Sequence, residues 1–183
     1  MKKNYFIPAL SALFALVLGV ATLTGTTSPA SAAACVPAKP VGKTVGKIVV
    51  GNISMPIKAF IYPAGGTMKP PGSTFMAGLS QRHMPLSSTL GSSILTWHRD
   101  YNGCWNELNV FTTKKVGSKF SITDEKGATK QYKISAMKKV KKGNYDASWF
   151  DLIGPRKVVL ITCIGDFKDG HYENNLVVIA QPI

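Results

Sequence analysis

From residue 41 onward, short apolar stretches alternate with polar, turn-forming residues at a spacing of roughly ten residues. Residues 44–50 are strand-like and end at Gly51-Asn52; residues 53–62 follow, broken by Pro56 and closed by Pro63-Ala64-Gly65-Gly66. Lys69-Pro70-Pro71-Gly72 opens an irregular stretch through Met84-Pro85-Leu86, after which residues 92–97 read as a strand. Residues 120–122 begin another before the turn Asp124-Glu125-Lys126-Gly127. Tyr132, Ile134 and Ala136 alternate with Lys133 and Ser135, the period of a strand with one wet face. Residues 158–162 and 176–180 are continuous apolar runs, as in strands covered on both sides. Helical periodicity is confined to a turn or two within residues 145–153 and near residues 107–111. The pattern predicts an all-β fold, a barrel or sandwich, with one or two short helices.

The N-terminus has a different pattern. Lys2 and Lys3 precede an apolar run over residues 6–23, and the small residues Ala30-Ser31-Ala32-Ala33-Ala34 follow. That order is the one a secretory signal uses, over residues 1–34. The run would also make about 27 Å of helix at about 1.5 Å per residue, enough for an uncleaved anchor in a thin bilayer. Pro8 and the A-x-A tail favour cleavage. A lipidation site at Cys35 is a third reading, against which Ala32 replaces the large aliphatic residue such sites carry. Each reading places the domain outside the cytoplasmic membrane, secreted or anchored at the cell envelope, with residues 35–43 as linker and residues 44–183 as the folded part.

A length of 183 residues leaves room for one domain, and a hydrophobic fraction of 45% excludes wholesale disorder. Neither GxGxxG nor GxxxxGK[ST] occurs, so no nucleotide-binding loop is indicated. The net charge of +13 attracts polyanions. Its lysines are scattered over strand-like segments, and the tightest cluster, Lys138-Lys139-Val140-Lys141-Lys142, has only Tyr145 close by as an aromatic. Without a stacking platform nucleic acid is not indicated. For an exported protein the fitting partner is an anionic wall polymer or a membrane surface rich in acidic phospholipid, with a merely solvated face as the plain alternative.

Candidate chemistry rests on three histidines and three cysteines. Cys163 ends the run Val158-Val159-Leu160-Ile161-Thr162, and a thiol at a strand end beside a loop is accessible to substrate. His98 likewise ends Ile94-Leu95-Thr96-Trp97. If those two strands are adjacent and finish at one rim, imidazole meets thiol, the base–nucleophile pair of cysteine catalysis. The plain alternative is a core cysteine and a surface histidine. His171, beside Tyr172, is a rival base, and His83 lies in a polar loop expected to face solvent. Cys104 has three fates open to it: a disulfide with Cys35, a redox lock with Cys163, or a free thiol. A zinc site from His98, Cys104 and Cys163 lacks CxxC spacing and a fourth ligand. Trp97, Trp105 and Trp149 are expected to pack in the core or at the rim.

Leu160-Ile161-Thr162-Cys163 resembles the TLxTC-type signature of sortases, the cysteine transpeptidases that attach proteins to Gram-positive cell walls. A strand-ending histidine stands about 65 residues before the cysteine, and Asn175-Leu176-Val177-Val178-Ile179-Ala180 is similar to the family's last strand. The Gly66-Thr67-Met68 turn resembles the pre-catalytic segment of the exported sortases of actinobacteria. The resemblance implies a single closed β-barrel with Cys163 as nucleophile, His98 as acid and base, and Thr162 in support. It implies secreted proteins with a sorting motif as substrates and an amine of wall precursor or pilin as acceptor, with no cofactor and no metal required. The family's arginine, at or near the start of the last strand, is not in place. Asn175 stands there with Glu173 two residues before it, and the arginines are Arg82, Arg99 and Arg156. Asn175, which donates two N–H bonds, and Arg99, which follows His98, are the candidates for its role; a Glu173 carboxylate would repel an oxyanion. The rival enzyme class, an L,D-transpeptidase, would need Ser-x-Gly-Cys-x-Arg, which is absent around Cys163. A catalytically silent sortase-like module that binds wall polymer is the alternative from another class.

Overall fold

The structure is a computed structural model describing Cys35, residues 38–62 and residues 69–183. The expected leader at residues 1–34 and the Gly66-Thr67-Met68 turn lie outside the described residues. No helix among the described residues is long and apolar enough to cross a membrane.

The strands are β1 (Thr44–Val50), β2 (Ile53–Phe60), β3 (Ala77–Ser80), β4 (Ser92–Trp97), β5 (Asp100–Tyr101), β6 (Cys104–Trp105), β7 (Lys119–Thr123), β8 (Thr129–Lys141), β9 (Lys157–Lys168) and β10 (His171–Pro182). Eight of them close a barrel in the order β1-β2-β3-β4-β9-β10-β8-β7, and β5 with β6 forms a separate small ribbon. Neighbours run antiparallel except β2 with β3 and β4 with β9. The all-β closed barrel expected from the sequence is the fold observed.

Alternation along the strands explains why some read as unbroken apolar runs. Leu95 and Trp97 of β4, Leu160 of β9 and Leu176 and Val178 of β10 point into the barrel, where they join Ile48, Ile57, Phe120 and Tyr132. The residues between them, Ile94, Val159, Ile161 and Val177, form a second apolar cluster on the outside, covered by Trp149. Both faces of these strands are therefore dry.

Trp149 comes from a short 3₁₀ helix, Ala147–Phe150, whose first turn is capped by the Asp146 side chain; a second 3₁₀ helix, Glu107–Thr113, is capped by Asn106. These are the two short helical segments the sequence predicts, in the tighter 3₁₀ form. Pro56 does not break its strand. It lies inside β2 opposite Lys47, and β3 pairs with β2 only from Ile57 onward, so Pro56 occupies an edge where a missing N–H is tolerated.

Cys35 and Cys104 are joined as a disulfide, and Cys163 is the free cysteine. One of the three fates of Cys104 is thereby realised. The lipidation reading of Cys35 and the zinc reading of Cys104 are overturned, because both sulfurs are consumed by the bond. Its chemical effect is to tie the segment before β1 to β6, next to the residues that follow β4.

Candidate active site

Strand β4 ends at Trp97, which pairs with Thr162 of the parallel strand β9. The next residue on each strand is His98 and Cys163. Neighbouring strands lie about 4.8 Å apart, so the two are side by side. Ile94 and Ile161 belong to the outer cluster, and side chains repeat every second residue, so His98 and Cys163 project from the same outer face. The two strands predicted to bring imidazole to thiol are thus adjacent.

The chain leaves β4 here because the Arg99 carbonyl is claimed from elsewhere. It accepts from the Asn106 N–H at 3.0 Å and from Asn109 Nδ2 at 2.6 Å. The chain then turns through Asn102 and Gly103, both with positive φ, into the β5–β6 ribbon, whose Tyr101 ring stacks on His98 at 5.0 Å. Thr162 Oγ1 donates to the Trp97 carbonyl at 3.0 Å and pins the end of β4 to β9.

Cys163 is not at a strand end, contrary to the sequence reading. Strand β9 runs on to Lys168 and returns through Asp169-Gly170 as β10. Cys163 is accessible because β4 stops beside it while the β9–β10 hairpin continues; it is half-buried. Just beyond it, the pairing shifts by one residue between Tyr172 and Asn174, and Gly165 holds φ +88° at that bulge. A Cβ at Gly165 would sit 3.1 Å from Asn174 Nδ2, in a backbone region that side chains rarely adopt. The bulge turns the Gly165 carbonyl toward Arg99, whose Nη1 donates to it at 3.1 Å.

Arg99 is therefore fixed. Its guanidinium lies 5.0 Å from the Trp105 ring centroid and 4.9 Å from that of Tyr172, while Tyr172 donates to Asp100 at 2.7 Å. The Tyr172 phenol is pushed up to about 12, by desolvation first and by its bond to Asp100. Asn175 faces Cys163 across β9 and β10, with Val140 of β8 on its other side. Its Nδ2 donates to the Tyr145 hydroxyl at 2.6 Å. The structure brings together Cys163, His98, Thr162, Arg99 and Asn175. It leaves out Glu173, which pairs with Lys168 at 3.5 Å farther along the hairpin. His171 is also elsewhere, exposed at the hairpin tip with Nδ1 3.1 Å from the Asp169 carbonyl. His83 is half-buried rather than solvent-facing: Ser80 Oγ lies 2.8 Å from its Nδ1 and its ring packs on Phe150. A cavity of about 260 Å³ lined by Val45, Ala59, Leu79 and His83 contains neither His98 nor Cys163.

Two groups at the site were not anticipated. Tyr145 reaches it from the loop after β8, and the charge of Lys142 opposes the burial that raises the Cys163 thiol. In the sequence the two stand only as a member of a basic cluster and its aromatic neighbour. The period-two pattern of Lys138-Val140-Lys142 puts the three on one face, and the strand order supplies what lies across from them. Val140 packs on the outer cluster and Lys138 Nζ sits 5.4 Å over Trp149, so Lys142 follows on the same face.

Burial lowers the pKa of His98 from its ordinary 6.5, opposed by the Pro70 carbonyl and Asp100. Burial raises that of Cys163 from 9.0, opposed by Lys142 and Arg99 and reinforced by Asp100. The resting pair is a neutral imidazole beside a neutral thiol. Among the described residues no group of three or more His, Cys, Asp or Glu side chains is placed to hold a metal ion.

The family model for the sortase domain matches residues 48–183, and the chain belongs to the sortase family. Sortases are cysteine transpeptidases typically associated with the cell envelope. Solved sortase structures share the fold at low identity. A lid mutant of sortase C1 from Streptococcus agalactiae is 19% identical with a TM-score of 0.60, covering 78% of this chain and 71% of that one. Sortase C from Clostridium perfringens is 20% identical with a TM-score of 0.55, over 78% and 71%. Sortase A from Corynebacterium diphtheriae is 17% identical with a TM-score of 0.59, over 79% of this chain and 63% of that one. A sequence comparison with curated proteins finds no match.

Proposed function

We propose that this chain is an exported sortase that cleaves a sorting motif near the C-terminus of secreted proteins and transfers the new acyl end to an amine of wall precursor or pilin. The observation that carries this reading is the register Trp97↔Thr162, which makes His98 and Cys163 neighbours on one face. His98 takes the thiol proton, and the Cys163 thiolate attacks the backbone carbonyl. The C–N bond breaks as imidazolium protonates the leaving amine, giving a thioacyl enzyme. The incoming amine then attacks, His98 takes its proton, and the thiolate departs. The lysines carried on both faces of β8 are suited to an anionic wall polymer or membrane surface near which such a reaction would run.

Incubation of the protein with a pentapeptide library and a simple amine, read by mass spectrometry, tests the reading. Amine-capped products from a restricted set of motifs are expected. A protein that forms none, and whose Cys163 is not labelled by sorting-motif chloromethyl ketones, would be a silent wall-binding module.

The pKa directions fix a pH profile. Activity needs one proton shared by the pair: with two, no thiolate forms, and with none, the leaving amine is not protonated. Because His98 is pushed below 6.5 and Cys163 above 9.0, kcat/KM should have an acid limb below pH 6.5 and an alkaline limb above pH 9.0. A pH titration of kcat/KM showing both limbs inside that interval would contradict the assignment.

Asn175 and Arg99 are proposed to share the substrate-carbonyl role of the family arginine. Asn175→Ala is expected to lower kcat by about tenfold or more, since it loses both the donor and its hold on Tyr145, and Arg99→Ala to do comparable damage. Glu173→Ala, at the hairpin salt bridge, should stay within about twofold. Equal kcat in all three variants would remove both residues from the role.

A further inference from the structure

We propose that Lys142 is the mobile cation of this site: its ammonium holds the Cys163 thiolate and follows the negative charge from sulfur to the carbonyl oxygen as the substrate is attacked. This deepens the transpeptidase reading and rests on it for the second half of the statement only.

The placement follows from three adjoining strands. Val140 of β8, Asn175 of β10 and Cys163 of β9 stand in one row across the sheet. The Lys142 N–H donates to the Glu173 carbonyl at 3.2 Å, so the β8–β10 ladder continues one residue past the end of β8. By the strand period Lys142 lies on the face of Val140, with Lys139 and Lys141 on the other. Gly143, at φ +90°, then turns the chain away and brings Tyr145 back over Asn175. The lysine is thereby presented at the margin of the site, with its backbone held and its side chain exposed. Its positive charge acts on the thiol in the direction this placement requires, opposing the burial that raises Cys163.

The other charged and titratable groups around Cys163 do not serve this purpose. Arg99, clamped between Trp105 and Tyr172 with Nη1 on the Gly165 carbonyl, can meet a substrate carbonyl at one fixed place but cannot follow the charge from sulfur. Asp100 bears the wrong sign and accepts from Tyr172. Tyr145 accepts from Asn175, and Tyr172 keeps its proton in the working range. His98 must exchange protons and cannot remain a fixed charge. Lys142 combines an ammonium donor with a flexible four-carbon stem.

The charge it answers moves across two bonds, from sulfur through the carbonyl carbon to oxygen. His98 takes the proton from Sγ, leaving the thiolate. As Sγ bonds to the carbonyl carbon, the C=O electron pair passes to oxygen. When that pair returns, the C–N bond breaks and the amine leaves with the proton from His98. The anion is on sulfur before the attack and on oxygen during it, two atoms apart, a displacement the lysine stem spans by rotation.

Cys163 is the free thiol, with the other two cysteines in the disulfide, so alkylation reports on it directly. The test is the rate of iodoacetamide alkylation against pH for the wild-type protein, Lys142→Met and Lys142→Arg, with thermal melts to show each is folded. Loss of the cation raises the thiol pKa, so Lys142→Met should be alkylated roughly threefold to tenfold more slowly near neutral pH, with its profile moved to higher pH. Lys142→Arg should restore the wild-type profile. Superimposable wild-type and Lys142→Met profiles would overturn the proposal. The readout needs no peptide substrate: a wild-type protein that transfers nothing would count against the transpeptidase reading alone. In the transpeptidation assay Lys142→Met should lose kcat with KM little changed; an effect on KM alone would mean that Lys142 binds substrate and does not follow the charge.

Discussion

Cys163→Ala should reduce transpeptidation to the uncatalysed background while leaving the barrel folded. Every bond change in the proposed reaction passes through the sulfur, and no second thiol can substitute, because Cys35 and Cys104 are bonded to each other. Loss of a nucleophile in a comparable covalent mechanism lowers kcat on the order of 10⁶, which takes product below the level an assay separates from background. The structural cost is small. Cys163 is half-buried at the edge of the outer cluster, whose apolar members are Ile94, Trp149, Val159, Ile161 and Val177. Truncating one sulfur there should cost about 1 kcal/mol or less, a fall in Tm of roughly 2–4 °C for a domain of this size. The measurement is product yield by mass spectrometry beside a thermal melt. Residual transfer above background in a protein that melts normally would remove Cys163 from the reaction. A melt lowered by far more than a few degrees would instead make Cys163 a packing residue.

The barrel strands were legible because their signals are local. Residues 158–162 and 176–180 are apolar without interruption, and the structure gives the reason in the Trp149 cover over their outer face. Tyr132 and Ile134 face the core as their alternation requires, whereas Ala136 drifts toward partial exposure just where a bulge shifts β10 against β8. The hairpins were less well read. Asp169-Gly170 and Asn102-Gly103 are two-residue turns with positive φ at both positions, the pattern that Asp-Gly and Asn-Gly favour between paired strands. A strand read as ending at Cys163 and another as ending at His98 leave no place for the β9–β10 hairpin or for the ribbon that carries Tyr101 to His98. Cys163 and His98 were found because each ends an apolar run. Lys142 and Tyr145 could not be found that way, since their place depends on β8 and β9 both lying beside β10. That adjacency is a property of the barrel's strand order and not of any segment. The reading of the lysine cluster as a merely solvated face misses Lys142 for the same reason: that member is singled out only by what lies across the sheet.

His98→Ala should lower kcat/KM by about 10²–10⁴, the range for loss of a positioned acid–base group, while His171→Ala should remain within about twofold of wild type. The two histidines were rivals in the sequence and are separated by the fold. His98 follows Trp97, whose partner is Thr162, so it stands beside Cys163 with its ring stacked on Tyr101. His171 opens β10 opposite Lys168, four residues before Asn175, which is the partner of Cys163. At about 3.3 Å per residue it is roughly 13 Å along the strand from the sulfur, too far for proton transfer without an intervening chain of donors. The pKa directions add a second readout. Deleting His98 removes the acid limb that its depressed pKa creates, so the residual activity of His98→Ala should climb with pH toward the Cys163 ionisation and show no optimum below it. His171→Ala should keep the wild-type profile. Steady-state kinetics of both variants from pH 5 to pH 10 decide the matter: a His98→Ala enzyme with near wild-type kcat/KM, or a large loss on His171→Ala, would move the acid–base role to the hairpin tip and break the link between strand register and chemistry.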